Sequence, residues 1–197
     1  MTVQLTRGGS QVMSSSRSAR RVVLGAVLGL ALVVFVAIPA AAHVEIEPGS
    51  AAKGSTTSFS FRVPNEKDNA STVGVEVTFP ADHPIPSVSV LVKQGWTFTV
   101  EKTPLPKPIK TEFGEVTEAV SKITWTGGQI PPDGYDLFTV RGGPLPKNVN
   151  QLEFKASQTY SDGEVVQWIE PTVKGGAEPE HPAPVLKLGK ASGGTSH

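Results

Sequence analysis

Val73-Gly74-Val75-Glu76-Val77-Thr78-Phe79 carries an apolar side chain at every second position, with small or polar residues between them. Successive side chains leave an extended strand on opposite sides, so this period of two marks a strand with one buried face. Upstream, Thr56 to Val63 repeats the pattern with Phe59, Phe61 and Val63 on one face. Val44-Glu45-Ile46-Glu47 is a shorter version, ended by a turn at Pro48-Gly49-Ser50. Downstream, Val88–Val92 and Trp96–Val100 flank Lys93-Gln94-Gly95 and predict a hairpin. Pro104-Leu105-Pro106-Lys107-Pro108 reads as a loop or an edge segment, because proline has no N–H to give a ladder.

The second half has the same habit. Val120–Thr126 is a strand stopped by Gly127-Gly128, Pro131-Pro132-Asp133-Gly134 is a turn, and Tyr135–Arg141 is a further strand. Asn150–Tyr160 and Glu164–Glu170 enclose Ser161-Asp162-Gly163, a hairpin signal because Asp-Gly suits positive φ. No window sustains a helical period. About eight or nine short strands, with turns at intervals of roughly ten residues, predict one all-β domain. Its class is an immunoglobulin-like or fibronectin-III-like β-sandwich. The domain is expected over 43–174. A Gly/Pro-rich tail follows over 175–197, in which only Val185–Leu188 has the pattern to dock as a last strand.

Residues 1–42 read as a secretion leader. Arg7, Arg17, Arg20 and Arg21 form a basic start with no acidic residue, and Val22–Ile38 is free of charge. Ala40-Ala41-Ala42 offers a small-residue cleavage pattern. A cut after Ala42 predicts a secreted or extracytoplasmic protein, and retention of the leader a cell-surface one. Four of the 18 basic residues and none of the 18 acidic ones lie before position 43, so the remainder carries a net charge of −4. That balance gives no electrostatic footprint for nucleic acid. The chain has no cysteine, and both methionines, Met1 and Met13, fall in the leader. Disulfides, iron–sulfur clusters, blue-copper centres and thiolate zinc sites are therefore excluded from the domain, and any metal must rest on nitrogen and oxygen.

The four histidines are His43, His83, His181 and His197. His83 belongs to the turn Asp82-His83-Pro84-Ile85-Pro86, His181 to the proline-rich tail, and His197 ends the sequence. His43 differs because cleavage after Ala42 would free its α-amine beside its own imidazole. Their ordinary pKa values of about 8 and about 6.5 let both deprotonate toward a metal near neutral pH. Nitrogen donors in a tetragonal set favour copper(II). A histidine also stands at first mature positions without any role, so His43 alone leaves both readings open.

Six segments in register resemble the YcnI-like family of exported copper-associated proteins, the DUF1775 domain. They are His43–Pro48, Phe61–Glu66, Gly95-Trp96, Ile123–Gly128, Ala156–Trp168 and Pro182–Leu188. The resemblance covers nearly all of the chain after the leader. It implies an immunoglobulin-like sandwich and a copper(II) site built as a single-histidine brace on His43, with a tryptophan essential to it at Trp168. Glu66 ends the strand expected to pair with the first one, and is the preferred carboxylate ahead of Glu45 and Glu47. Since an indole nitrogen only donates, Trp168 is expected to shield or stack rather than ligate.

The implied function is copper(II) trafficking or homeostasis as a chaperone or scavenger, without enzymatic activity. The partners would be the copper ion, a membrane copper transporter or another copper carrier, and a second copy of the chain through the metal. A copper-dependent oxidative enzyme and a metal-free interaction sandwich are the alternatives. The first generally needs a second histidine. For the second, the sequence offers no exposed apolar cluster to assign to a partner surface.

Overall fold

A computed structural model describes residues 43–173 and 175–190; the expected leader and the last seven residues lie outside them. Among the described residues there are twelve strands and no helix. In chain order they are β1 (Glu45–Glu47), β2 (Ser50–Ala52), β3 (Thr57–Pro64), β4 (Thr72–Thr78), β5 (Ser87–Val90) and β6 (Thr97–Thr111). There follow β7 (Gly114–Ile130), β8 (Tyr135–Gly143), β9 (Gln151–Glu153), β10 (Lys155–Tyr160), β11 (Val165–Trp168) and β12 (Val185–Gly189).

Two sheets, ordered β1-β3-β8-β5 and β11-β10-β4-β7-β6, enclose the core. Phe59, Phe61 and Val63 of β3 and Phe138 and Val140 of β8 are buried from one side. Val75 and Val77 of β4 and Ile123 and Trp125 of β7 are buried from the other. The Trp125 and Phe138 rings meet across the layers at 5.2 Å. The all-β sandwich read from the alternating apolar positions is thus the fold that forms.

Three local readings change. The stretch 88–100 is not a hairpin: β5 pairs with β8, whereas β6 pairs with β7 in the opposite sheet. A turn at Lys93–Trp96, with Gly95 at φ +81°, hands the chain across, and Trp96 packs its indole edge-on to Phe138 at 4.9 Å. Burial of that large ring decides the crossing. On β4 the register shifts between Thr72 and Gly74, so Thr72, rather than Val73, is the fully buried residue at this end. A bulge of this kind resets the alternation by one residue. The run 150–160 is broken at Phe154, whose N–H goes to the Pro184 carbonyl and whose ring joins Phe59, Phe61 and Phe79. The proline-rich stretch lies inside β6, which is an edge strand with a register shift between Pro104 and Ile109.

A third sheet, ordered β2-β12-β9, closes one end of the sandwich. β12 runs parallel to β2 and antiparallel to β9. It buries Leu186 and Leu188 and leaves Lys187 between them exposed. Fully burying a leucine contributes about 1.5–3 kcal/mol, so these two side chains hold the strand in place. The chain from β11 must therefore return across the start of β1, and that return shapes the site.

A candidate metal centre at His43

Trp168 ends β11, opposite Ala156 of β10, and is fully buried. Its indole N–H donates to Gln158 Oε1 at 3.1 Å. Gln158 Nε2 in turn donates to the Pro64 carbonyl at 2.7 Å and to Thr72 Oγ1 at 2.6 Å. A carbonyl can only accept, so the Pro64 bond fixes which end of the amide is nitrogen and turns Oε1 toward the indole. The N–H of Trp168 is thereby taken, and what the residue offers a neighbour is its ring.

Beyond β11 the chain loops out and comes back. Glu170 N–H donates to the His181 carbonyl at 3.0 Å, and Ala183 N–H to the Glu170 carbonyl at 2.9 Å. These bonds set the His181 imidazole edge-on to Trp168, with centroids 5.1 Å apart and planes at 70°. The His43 ring lies 5.9 Å from the same indole, at 59°. Its side chain is 15% exposed, and its Nδ1 is 3.4 Å from Glu178 Oε1. His43 and Glu178 face a shallow cleft of about 380 Å³ shared with Glu45, Thr172, Pro182 and Lys187. Arg62 is within 3.8 Å of Glu45 and 3.6 Å of Glu47, so both β1 carboxylates face a cation.

Of the residues expected from sequence, His43 and Trp168 are brought together. Glu66 is the exposed second residue after Pro64 at the end of β3. Its backbone N–H hydrogen-bonds the Tyr160 hydroxyl, and among the described residues its side chain forms no hydrogen bond or ion pair with His43. Burial pushes the Tyr160 hydroxyl above its ordinary pKa, with the Glu66 hydrogen bond acting the other way. Next to it Lys67 Nζ donates to Asp162 Oδ2 and Glu164 Oε2, both at 2.6 Å. These bonds raise the lysine, and the Lys67 bond lowers the Asp162 carboxyl.

Sequence reasoning missed Gln158, Glu178 and His181. Glu178 and His181 sat in a stretch whose composition reads as linker. The available signal was the alternation of Val185–Leu188, since docking that strand obliges the residues before it to fold back over β11. Among the described residues no three His, Asp or Glu side chains gather as a metal cage. The side-chain donors facing one another are His43 Nδ1 and Glu178 Oε1, so a third donor would come from the main chain or solvent. A free α-amine at His43 fits that need, and the nitrogen–oxygen set suits a divalent first-row ion.

The chain is 30% identical over 143 residues to the copper-binding protein CutI of Bacillus subtilis, a match covering 68% of this chain and 59% of that protein. The chain thus spans about three-fifths of that relative's length. Among solved structures, a crystal structure of a Nocardia farcinica protein, described as an immunoglobulin-like fold, superposes with a TM-score of 0.59 at 37% identity. The superposition covers 74% of this chain and 97% of that one. The sandwich described above is accordingly of the immunoglobulin-like class. Residues 43–188, from the histidine at the candidate centre to the buried leucine of β12, match the family described as a domain of unknown function, DUF1775, and the chain belongs to that family.

Proposed function

We propose that this chain is an extracytoplasmic copper(II)-binding protein whose principal ligand is His43, made bidentate by removal of residues 1–42. The observation that carries the reading is the His43 imidazole held 5.9 Å from the buried Trp168 ring at the leader junction. Similarity to CutI, named a copper-binding protein, supports the choice of ion. The α-amine and Nδ1 of one histidine close a six-membered chelate ring on a metal, which Nε2 cannot do. Copper(II) is the strongest binder of the divalent first-row series, so two nitrogens and an oxygen favour it over its neighbours. Trp168, its N–H held by Gln158, walls the site on one side and keeps water from that face. A carboxylate completes the set: the sequence offers Glu66, and the fold adds Glu178. Handling of the ion as a chaperone or scavenger follows from a cleft open on its other side, from which a transporter or second carrier can take the ion. A second copy of the chain is a further partner in this reading, joined through the metal.

Competition titration with copper(II) tests the reading on three proteins: the chain beginning at His43, the same chain preceded by Ala42, and His43→Ala. The first binds tightly and the other two lose at least tenfold in affinity. Equal affinity in all three overturns the brace. Mass in solution with and without one equivalent of copper(II) reads the dimer.

A further inference from the structure

We propose that Glu178, rather than Glu66, supplies the carboxylate ligand of the copper site, which makes the returning stretch 175–184 a working part of it. The assignment rests on the His43 reading above. Of the two imidazole nitrogens, the one that can close a chelate ring with the α-amine is Nδ1, and this is the atom that faces Glu178 Oε1 at 3.4 Å. Two donors bound at about 2.0 Å to one ion lie roughly 2.8 Å apart at a right angle and about 3.5 Å apart at 120°. The observed separation falls inside that span.

The rival carboxylates are either paired or apart from His43. Glu45 and Glu47 face Arg62, and the carboxylate that approaches His43 among the described residues is that of Glu178, whereas Glu66 meets Tyr160 through its backbone. Among the described residues Glu178 has no partner but His43, and its side chain is 76% exposed, so it reaches an ion without losing another contact. The segment that carries it is fixed at both ends. Glu170 is bonded to His181 and Ala183, and β12 is seated between β2 and β9. Amine, imidazole and carboxylate together form a set suited to copper(II) and poorly suited to copper(I), which prefers sulfur.

The test uses the chain beginning at His43, with copper(II) competition titrations and electron paramagnetic resonance on Glu178→Gln, Glu66→Gln and His43→Ala. Glu178→Gln is expected to weaken binding at least about tenfold, the lower end of the loss when even an outer partner of a metal ligand is removed. It should also change the copper hyperfine splitting, and Glu66→Gln should match wild type in both. Unchanged affinity and spectrum in Glu178→Gln overturn the assignment. So does a weaker affinity with an unchanged spectrum, because Glu178 then acts through charge alone. If Glu66→Gln shows the loss instead, the ligand is Glu66 and the His43 reading stands. If His43→Ala binds as wild type, both fall together.

Discussion

Replacing Gln158 with leucine should dismantle the support beneath the candidate site while leaving its volume nearly unchanged. Gln158 is 1% exposed and joins three groups: the Trp168 N–H, the Pro64 carbonyl and the Thr72 hydroxyl. Each buried group stripped of its partner costs about 1–3 kcal/mol. The Thr72 oxygen loses one donor and keeps its own O–H free to turn, so the larger costs fall on the indole N–H and the carbonyl, which are fixed. The leucine itself returns about 1–2 kcal/mol by keeping apolar atoms out of water. A net loss of about 1–4 kcal/mol remains. With a urea dependence of about 2 kcal/mol per molar, the unfolding midpoint drops by about 0.5–2 M. Thr72→Val, which removes a single acceptor and leaves the Pro64 bond in place, should cost about 0.5–1.5 kcal/mol. Equilibrium urea unfolding followed by tryptophan fluorescence measures both. If Gln158→Leu shifts the midpoint by no more than Thr72→Val does, the amide is not the joint of the network and the reasoning fails.

Gly143→Ala should lower stability by about 1–3 kcal/mol, read as a fall in thermal midpoint, because a Cβ there would collide with the Thr56 side chain and Cα, and a backbone atom cannot swing aside. Copper(II) added to the processed chain should quench Trp168 selectively, since it is the tryptophan whose ring meets His43, and His43→Ala should remove the quenching. Lys67→Met reports on pH. The Lys67 hydrogen bond holds the Asp162 carboxyl low, so its contribution is present above the unfolded value near 3.9 and fades as pH falls through the lower folded value. Hydrogen bonds to Asp162 and Glu164 hold Lys67 high, so that contribution is present below about 10.4 and fades as pH rises through the folded value. The gap in urea midpoint between wild type and Lys67→Met should be small and level between those limits and close at either extreme. A gap that persists at pH 2 would contradict the pairing.

The sandwich was legible because its strands bury one face each, and Phe59, Phe61, Val63, Val75 and Val77 announce that face by position alone. Trp96 was not legible in the same way. Its strand alternates correctly, but nothing local says that the chain before it belongs to the other sheet; the Phe138 ring, over forty residues on, decides that. At the candidate site, His43 stood out by its place after Ala42 and Trp168 through the family resemblance, whereas Glu178 and His181 lay in a stretch whose glycines and prolines describe backbone freedom and not destination. Their place follows from Leu186 and Leu188, which bury themselves beyond the stretch and draw it across β11. Thr72 was hidden for another reason: a bulge in β4 reversed the phase by which it would have been judged outward-facing, whereas Gln158 keeps the buried phase of Ala156 and Tyr160 and was hidden by its polar type.

The parallel pairing of β12 with β2 sets an order of events. His43 is among the first residues of the domain to leave any channel through which the chain is threaded, while Glu178 and the leucines that seat its segment leave among the last. Until nearly the whole polypeptide has emerged, the imidazole has neither its carboxylate neighbour nor its aromatic wall. A half-delivered molecule would therefore present the His43 ring to solvent without its neighbours, and the candidate centre would be complete only with the final strand.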